Sequence, residues 1–152
     1  MIIDIKLVVL DLRIGTDSFP YPKSQTKGSA GIDLMAMPRE SLLLRPGRRG
    51  SVSSGISLHI NDPGFVGIIV PRSGLGSKGI VLSNLVGVID SDYTGEIKLS
   101  LWNTSEEDFI VEPGMRVAQL LIVPVVTAAF SLVVSHEETT RGEGGFGSTG
   151  LL

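Results

Sequence analysis

Polar and apolar residues alternate strictly in two parts of the chain. Ile3, Ile5 and Leu7 enclose Asp4 and Lys6, and Ile97, Leu99 and Leu101 enclose Lys98 and Ser100. A period of two sends each apolar set to one face, so both segments are expected to be half-buried strands. Pro-Gly pairs at Pro46-Gly47, Pro63-Gly64 and Pro113-Gly114 separate apolar runs. Proline fixes φ and glycine accepts positive φ, so each pair predicts a turn. No long segment has a helical period, and the best helical candidate is one turn around "SGLGSKG", residues 73–79. Short strands and frequent turns predict an all-β chain. The run "VAQLLIVPVVTAAFSLVV", residues 117–134, is too apolar for an exposed strand. Pro124 interrupts it and excludes one regular central strand. It is expected to be buried on both sides, part of it against other subunits.

Composition narrows the picture. A chain of 152 residues, 42% hydrophobic, fits one domain with a sizeable core. A formal charge of −3 argues against a nucleic-acid groove or an anionic membrane surface, which demand clustered Lys and Arg. A small anion can still be bound locally. There is no cysteine, which excludes disulfides and thiolate zinc sites, and His59 and His136 lie far apart as ordinary polar residues. The opening "MIIDIKLVVLDLR" carries early charges and no small-residue cleavage site, so it reads as a first strand. No stretch is long enough to cross a membrane. The expectation is a soluble, intracellular or cytoplasmic protein.

Several polar residues sit where a simple core would not need them. In "VPRSGLGSKGI", residues 70–80, Arg72 and Ser73 run into Gly74 and Gly76, whose backbone N–H groups are open to an anion. This is a phosphate cradle or a surface turn, and it lacks the Gly-Lys-Ser/Thr of a P-loop. In "NLVGVIDSDYTGE", residues 84–96, Asp90 and Asp92 flank Ser91 ahead of Tyr93. A carboxylate beside a bound polyphosphate can take a proton from water and so create a nucleophile, although an Asp-rich turn is also often only solvated. Strand geometry would put the two aspartates on one face, and a turn would separate them. Gly87 in this apolar stretch implies close approach to the backbone, for which a flat base is one candidate. Asp33 in "SAGIDL" and Arg116 in "GMRVAQLL" are charges within apolar strands, a possible pair. Gln119 needs a partner that is either structural or a phosphate oxygen. The tail "RGEGGFGSTG", residues 141–150, sets Arg141, Phe146, Ser148 and Thr149 among glycines, a clasp awaiting a ligand or a frayed end.

Taken together, "SAGIDL", "PRSGLG", "NLVGVIDSDYTGE", "GMRVAQLLIVPV" and "RGEGGFGSTG" resemble, in order, the five motifs of the trimeric deoxyuridine triphosphatase (dUTPase) family. The resemblance implies a jelly-roll β-barrel over residues 1–140 and a mobile arm over 141–152 that closes the site. It implies a homotrimer with active sites at subunit interfaces, the Asp90 hairpin and the arm at one site coming from different subunits. The reaction implied is hydrolysis of dUTP to dUMP and pyrophosphate, which limits uracil in DNA and supplies dUMP for dTMP synthesis. Mg2+ would be held mainly by triphosphate and water, with no direct protein ligand.

By the same resemblance, Asp90 activates water for attack on the α-phosphorus. Arg72, Ser73, Gly74 and Gln119 hold phosphates, and Arg141, Ser148 and Thr149 grip the γ-phosphate. The hairpin through Asn84, Gly87, Val88 and Ile89 reads uracil, Tyr93 packs on the deoxyribose and Phe146 covers the base. Asp33 and Arg116 are structural or stand behind the metal. Between "PRSGLG" and Gly79-Ile80 the chain has one residue fewer than the family pattern, so the turn there differs and leaves Lys78 at the surface. A dCTP deaminase of the same fold and a catalytically idle jelly-roll trimer are the rival readings.

Overall fold

The computed structural model describes residues 2–145. In chain order these form β1 (Lys6–Val9), β2 (Ile32–Met35), β3 (Leu42–Leu44), β4 (Arg49–His59), β5 (Phe65–Pro71), the helical turn α1 (Ser73–Gly76), β6 (Ile80–Leu82), β7 (Gly87–Ile89), β8 (Glu96–Asn103), β9 (Phe109–Val111) and β10 (Arg116–Pro124). Two four-stranded sheets, ordered β1-β4-β8-β6 and β2-β10-β5-β7, are joined by the two-stranded β3-β9. Every pairing is antiparallel. The inward residues of both large sheets, among them Ile56, Leu99 and Leu101 from one and Leu34, Ile69 and Leu120 from the other, form a single cluster. That is the all-β fold that the alternation predicts, in the jelly-roll-like arrangement that the resemblance implies, with α1 as its one helical turn among the described residues.

Local chemistry explains where the strands bend and stop. Along β8, Ile97, Leu99, Leu101 and Asn103 are buried, as a period of two requires. Asn103 is fully buried and uses all its capacity: Nδ2 donates to the carbonyls of Leu44 (2.8 Å) and Glu107 (2.7 Å), and Oδ1 accepts from the Ser105 N–H (2.9 Å) and hydroxyl (2.7 Å). It thereby ties the end of β8 to β3 and the turn before β9 without an unmet polar atom. In β4 the pairing with β8 shifts between Ser53 and Ser57, around Gly55 at φ +74°. A Cβ there would lie 2.8 Å from Ile14 and 2.9 Å from Asp11, so only glycine fits both the angle and the space.

Two expectations need correction. The first strand spans only Lys6–Val9, because Ile3 and Ile5 lie ahead of the ladder with β4. All three Pro-Gly pairs lie at turns, but only Gly47 and Gly114 have positive φ; the turn at Gly64 closes instead with its N–H donating to the Asp62 carboxylate at 2.9 Å. The apolar run 117–134 divides at Pro124. β10 is a central strand as far as Pro124, and beyond it Val126, Phe130, Leu132 and Val134 are exposed in the single chain. Pro124 ends the strand because proline has no N–H to continue the ladder. Among the described residues, no helix is long and apolar enough to cross a membrane.

The segment after β1 is pinned by an ion pair. Arg13 Nη2 lies 2.6 Å from Asp11 Oδ2 and also donates to the carbonyls of Met37 (3.0 Å) and Pro38 (3.1 Å), and the guanidinium lies over the Phe19 ring. Hydrogen bonds from the Arg13 side chain hold the Asp11 carboxyl below its ordinary range, against an opposing effect of partial burial. A carboxyl depressed by folding stabilises the fold above its unfolded pKa, and that stabilisation is lost as pH falls through the folded value. Asp11→Asn should therefore lower stability by under about 1 kcal/mol at pH 7, since water screens a partly exposed pair. In urea titrations repeated at falling pH, the difference should shrink below the ordinary carboxylate pKa near 3.8; a difference that grows with acid would contradict this account.

Candidate active site

The cradle forms where β5 leaves its sheet. Pro71 pairs with Ala118 of β10, and Arg72 then starts the turn α1, with the N–H groups of Leu75 and Gly76 donating to its carbonyl at 3.1 and 2.8 Å. Ser73 and Gly74 are exposed. A Cβ on Gly74 or Gly76 would meet nothing within 4 Å, so packing inside the chain does not demand glycine at either position. The absence of side chains there leaves the backbone accessible from outside. The turn closes at Gly79, whose carbonyl accepts from the Thr104 N–H and hydroxyl, both at 2.8 Å, and Lys78 is exposed as expected.

Asp33 on β2 lies between two arginines. Its Oδ1 is 2.8 Å from Arg72 Nε and its Oδ2 accepts from Arg116 Nη1 at 3.3 Å. Arg72 Nη1 donates to the Arg116 carbonyl at 3.0 Å, beside a register shift in the β2–β10 ladder. The Asp33–Arg116 pair is therefore present, within a three-residue cluster that includes Arg72. Gln119, paired in register with Asp33, donates from Nε2 to the Pro71 carbonyl at 3.0 Å. Its Oε1 lies 2.5 Å from where a Cβ on Gly31 would be, so Gly31 is what admits the amide.

The connection from β6 to β7, which lie in different sheets, passes through Leu85 at φ +61°, an uncommon angle for a leucine. The Val86 N–H donates to the Asn84 carbonyl at 2.7 Å. Asn84, Leu85, Val86 and Val88 are exposed, and Ile89 is half-buried. What approaches the Gly87 backbone in the single chain is Ile69, whose Cβ lies 3.1 Å from where a Cβ on the glycine would be, so a flat base is not needed to explain this glycine. After β7 a turn separates the aspartates, with the Tyr93 N–H donating to the Asp90 carbonyl at 3.1 Å. Asp90 and Asp92 are both exposed, and both line a cleft of about 550 Å³ with His59, Asn61 and Val66. The Tyr93 hydroxyl donates to the Glu96 carbonyl at 3.0 Å, and the Glu96 carboxylate accepts from Ser53.

These positions form two groups in one chain. Asp33, Arg72, Arg116 and Gln119 gather at one end of the β2-β10-β5-β7 sheet. Asp90 does not join them. Gly87 pairs with Ile69 and Ile89 with Gly67, so the chain reaches Asp90 beside Val66, at the far end of β5 from Arg72. Six residues at a strand rise of 3.3 Å separate the two ends by about 20 Å. Arg72 also reaches toward β2, across β10 and away from β7. Of the tail, Arg141 is exposed with its Nε donating to the Gly144 carbonyl at 2.9 Å. Phe146, Ser148 and Thr149 lie outside the described residues.

The sequence model of the dUTPase family matches residues 17–150. The chain belongs to the dUTPase family. Among its relatives, the deoxyuridine 5'-triphosphate nucleotidohydrolase of Aeromonas hydrophila is 52% identical over 99% of both chains. That of Alcanivorax borkumensis is 55% identical over 93% of this chain and 95% of its own. Of solved structures, the dUTPase of Staphylococcus bacteriophage 80alpha with dUpNHpp superposes with a TM-score of 0.83 at 25% identity, covering 97% of this chain and 99% of that one. A variant dUTPase of phage phi11 of S. aureus, described with a structural Mg(II) ion, shares the fold at a TM-score of 0.74 and 22% identity over 89% of this chain and 99% of its own.

Two supporting glycines of this dUTPase family member were missed from sequence, Gly31 beneath Gln119 and Gly95 beneath Tyr93. The only signal was a glycine within each quoted stretch, Gly31 in "SAGIDL" and Gly95 in "NLVGVIDSDYTGE", which does not say what fills the space. A Cβ on Gly95 would fall 2.5 Å from the Tyr93 hydroxyl oxygen and 2.6 Å from the ring carbon bearing it. Gly95→Ala should displace the ring and cost about 1 kcal/mol, the low end for overpacking because Tyr93 is partly exposed. Chemical denaturation of Gly95→Ala, Tyr93→Ala and the double variant checks this. The double variant should be no less stable than Tyr93→Ala alone, and additive losses would show that Gly95 serves something other than the ring.

Proposed function

We propose that three copies of this chain hydrolyse dUTP to dUMP and pyrophosphate at sites shared between neighbours, with the phosphate cradle of one copy facing the Asp90 hairpin of another. Membership of the dUTPase family supports the reaction. The observation that supports sharing is the distance of about 20 Å within one chain between Arg72 and Asp90, too great for both to act on one triphosphate. The apolar segment after Pro124 supports assembly: Phe130, Leu132 and Val134 are 97%, 103% and 107% exposed. A second copy is the surface that would cover them.

In this mechanism Asp90 accepts a proton from water as the water oxygen bonds to the α-phosphorus. The bond from that phosphorus to the bridging oxygen breaks, and pyrophosphate leaves with the electron pair. Arg72, Ser73, Gly74 and Gln119 bind the phosphates and stabilise the charge that grows on the leaving group, an effect that strengthens as water is excluded. Arg141, Ser148 and Thr149 add donors at the γ-phosphate, and Phe146 covers the base when the arm closes.

Backbone groups around Asn84, Gly87, Val88 and Ile89 read the uracil edge, where a cytosine would leave polar atoms unpaired. Tyr93, fixed on Gly95 and the Glu96 carbonyl, occupies the space that a ribose 2′-hydroxyl would need. Among the described residues there is no group of three acidic or histidine side chains that could hold a metal, and both Asp33 oxygens already face arginines. A magnesium ion would be held by the triphosphate and water, where it would neutralise phosphate charge.

The test is pyrophosphate release measured on dUTP, dCTP, dTTP and UTP. Turnover of dUTP alone is the expected result, and comparable rates on dCTP or UTP would overturn the specificity. Ammonia in place of pyrophosphate would mark a deaminase. Asp90→Asn should lose at least about 10²-fold in kcat with dUTP affinity retained, because its effect falls on the transition state; a near-normal kcat would transfer the role to another group, with Asp92 the first to examine.

A further inference from the structure

Arg72 does not stand free in the cradle. Its Nε lies 2.8 Å from Asp33 Oδ1 and its Nη1 donates to the Arg116 carbonyl at 3.0 Å, while Nη2 takes part in neither contact. Asp33 sits on β2 and Arg72 directly follows the end of β5, the two strands that flank β10, and the arginine spans that strand to reach the carboxylate. The Asp33 side chain is 15% exposed and that of Arg72 33%, so this pair is shielded more than a surface ion pair. Arg116 takes the other carboxylate oxygen, with its own side chain 51% exposed. Two guanidiniums on one carboxylate leave a net charge of +1 at a place where the whole chain is negative.

We infer that Asp33 is a positioning residue for Arg72: together with the Arg116 carbonyl it fixes the guanidinium plane, so that the remaining N–H donors meet the triphosphate already oriented. The inference rests on the proposed phosphate role of Arg72. A guanidinium is a rigid planar fork, so holding two of its nitrogens fixes the direction of the third. Without Asp33 the long side chain would have to be ordered on binding, and affinity would fall by that ordering cost. Arg116 supplies the second positive charge, which keeps Asp33 from cancelling that of Arg72. This role is separate from standing behind a metal, because it involves only groups of this chain.

The experiment is calorimetric binding of a non-hydrolysable dUTP analogue, with magnesium and again in EDTA, to the assembled protein and its Asp33→Ala, Asp33→Asn, Arg72→Ala and Asp33→Ala/Arg72→Ala variants. Asp33→Ala should weaken binding about tenfold in both conditions. Asp33→Asn, which keeps an acceptor for Nε, should recover most of that loss. In the Arg72→Ala background, removal of Asp33 should have no further effect, since it acts through an arginine that is gone.

Additive losses, or an Asp33→Ala effect confined to magnesium, would overturn the inference and place Asp33 on the metal side. Unchanged affinity in Asp33→Ala would overturn it too. Unchanged affinity in Arg72→Ala would instead remove the phosphate role of Arg72 on which the inference stands. Should Asp33→Ala fail to assemble, Arg72→Lys takes its place: an ammonium keeps the charge but cannot hold both ties, so the same loss is expected, and native affinity would overturn the inference.

Discussion

Antiparallel pairing of β5 with β10 on one side and β7 on the other sets the distances on which the chemistry depends. Ala118 opposite Pro71 fixes the cradle beside β10, and Gly67 opposite Ile89 sends the chain to Asp90 at the other end. A slip of one residue in either ladder would turn inward residues outward, so the buried faces of Ile69, Ala118 and Leu120 lock this register. Arg72 and Asp90, each following the end of a strand of the same sheet, are thereby kept apart within the chain. Packing of the core and the separation of Arg72 from Asp90 within the chain are thus consequences of one constraint.

Electrostatics then shape the cradle end. A carboxylate in a half-buried strand is tolerated because two guanidiniums reach it from β5 and β10. The surplus positive charge is local, which reconciles an acidic chain with an anionic substrate. Supporting glycines complete the arrangement: Gly31 admits the Gln119 amide and Gly95 the Tyr93 ring. In each case a residue without chemistry of its own determines where a neighbour with chemistry can sit.

Much of this was legible in the sequence. Alternation along Glu96–Asn103 and the turns at Pro46-Gly47 and Pro113-Gly114 follow from backbone periodicity and φ preference, which are local properties. The Asp33–Arg116 pair followed from the cost of burying a lone charge. Sequence reasoning did not find that Arg72 joins that pair, because the contact spans β10 and depends on register. Residues 125–134, expected to be buried in part against other subunits, are exposed in the single chain, because apolar composition demands a partner surface but does not say which chain supplies it. The close approach at Gly87 was read correctly, and its cause, the Ile69 side chain, lay 18 positions away on another strand.

The central claim is that Arg72 and Asp90 at one working site belong to different copies of the chain. Co-assembly of Arg72→Ala subunits with Asp90→Asn subunits tests it directly. Each homotrimer lacks one component at every site. In a mixed trimer, one interface brings the intact Asp90 of an Arg72→Ala subunit against the intact Arg72 of an Asp90→Asn neighbour. Trimers isolated through two different affinity tags should therefore recover about one third of the native dUTP turnover per trimer, one site of three, when sites act independently. Mixed trimers as inactive as both parents would contradict the account and return the two residues to a single chain.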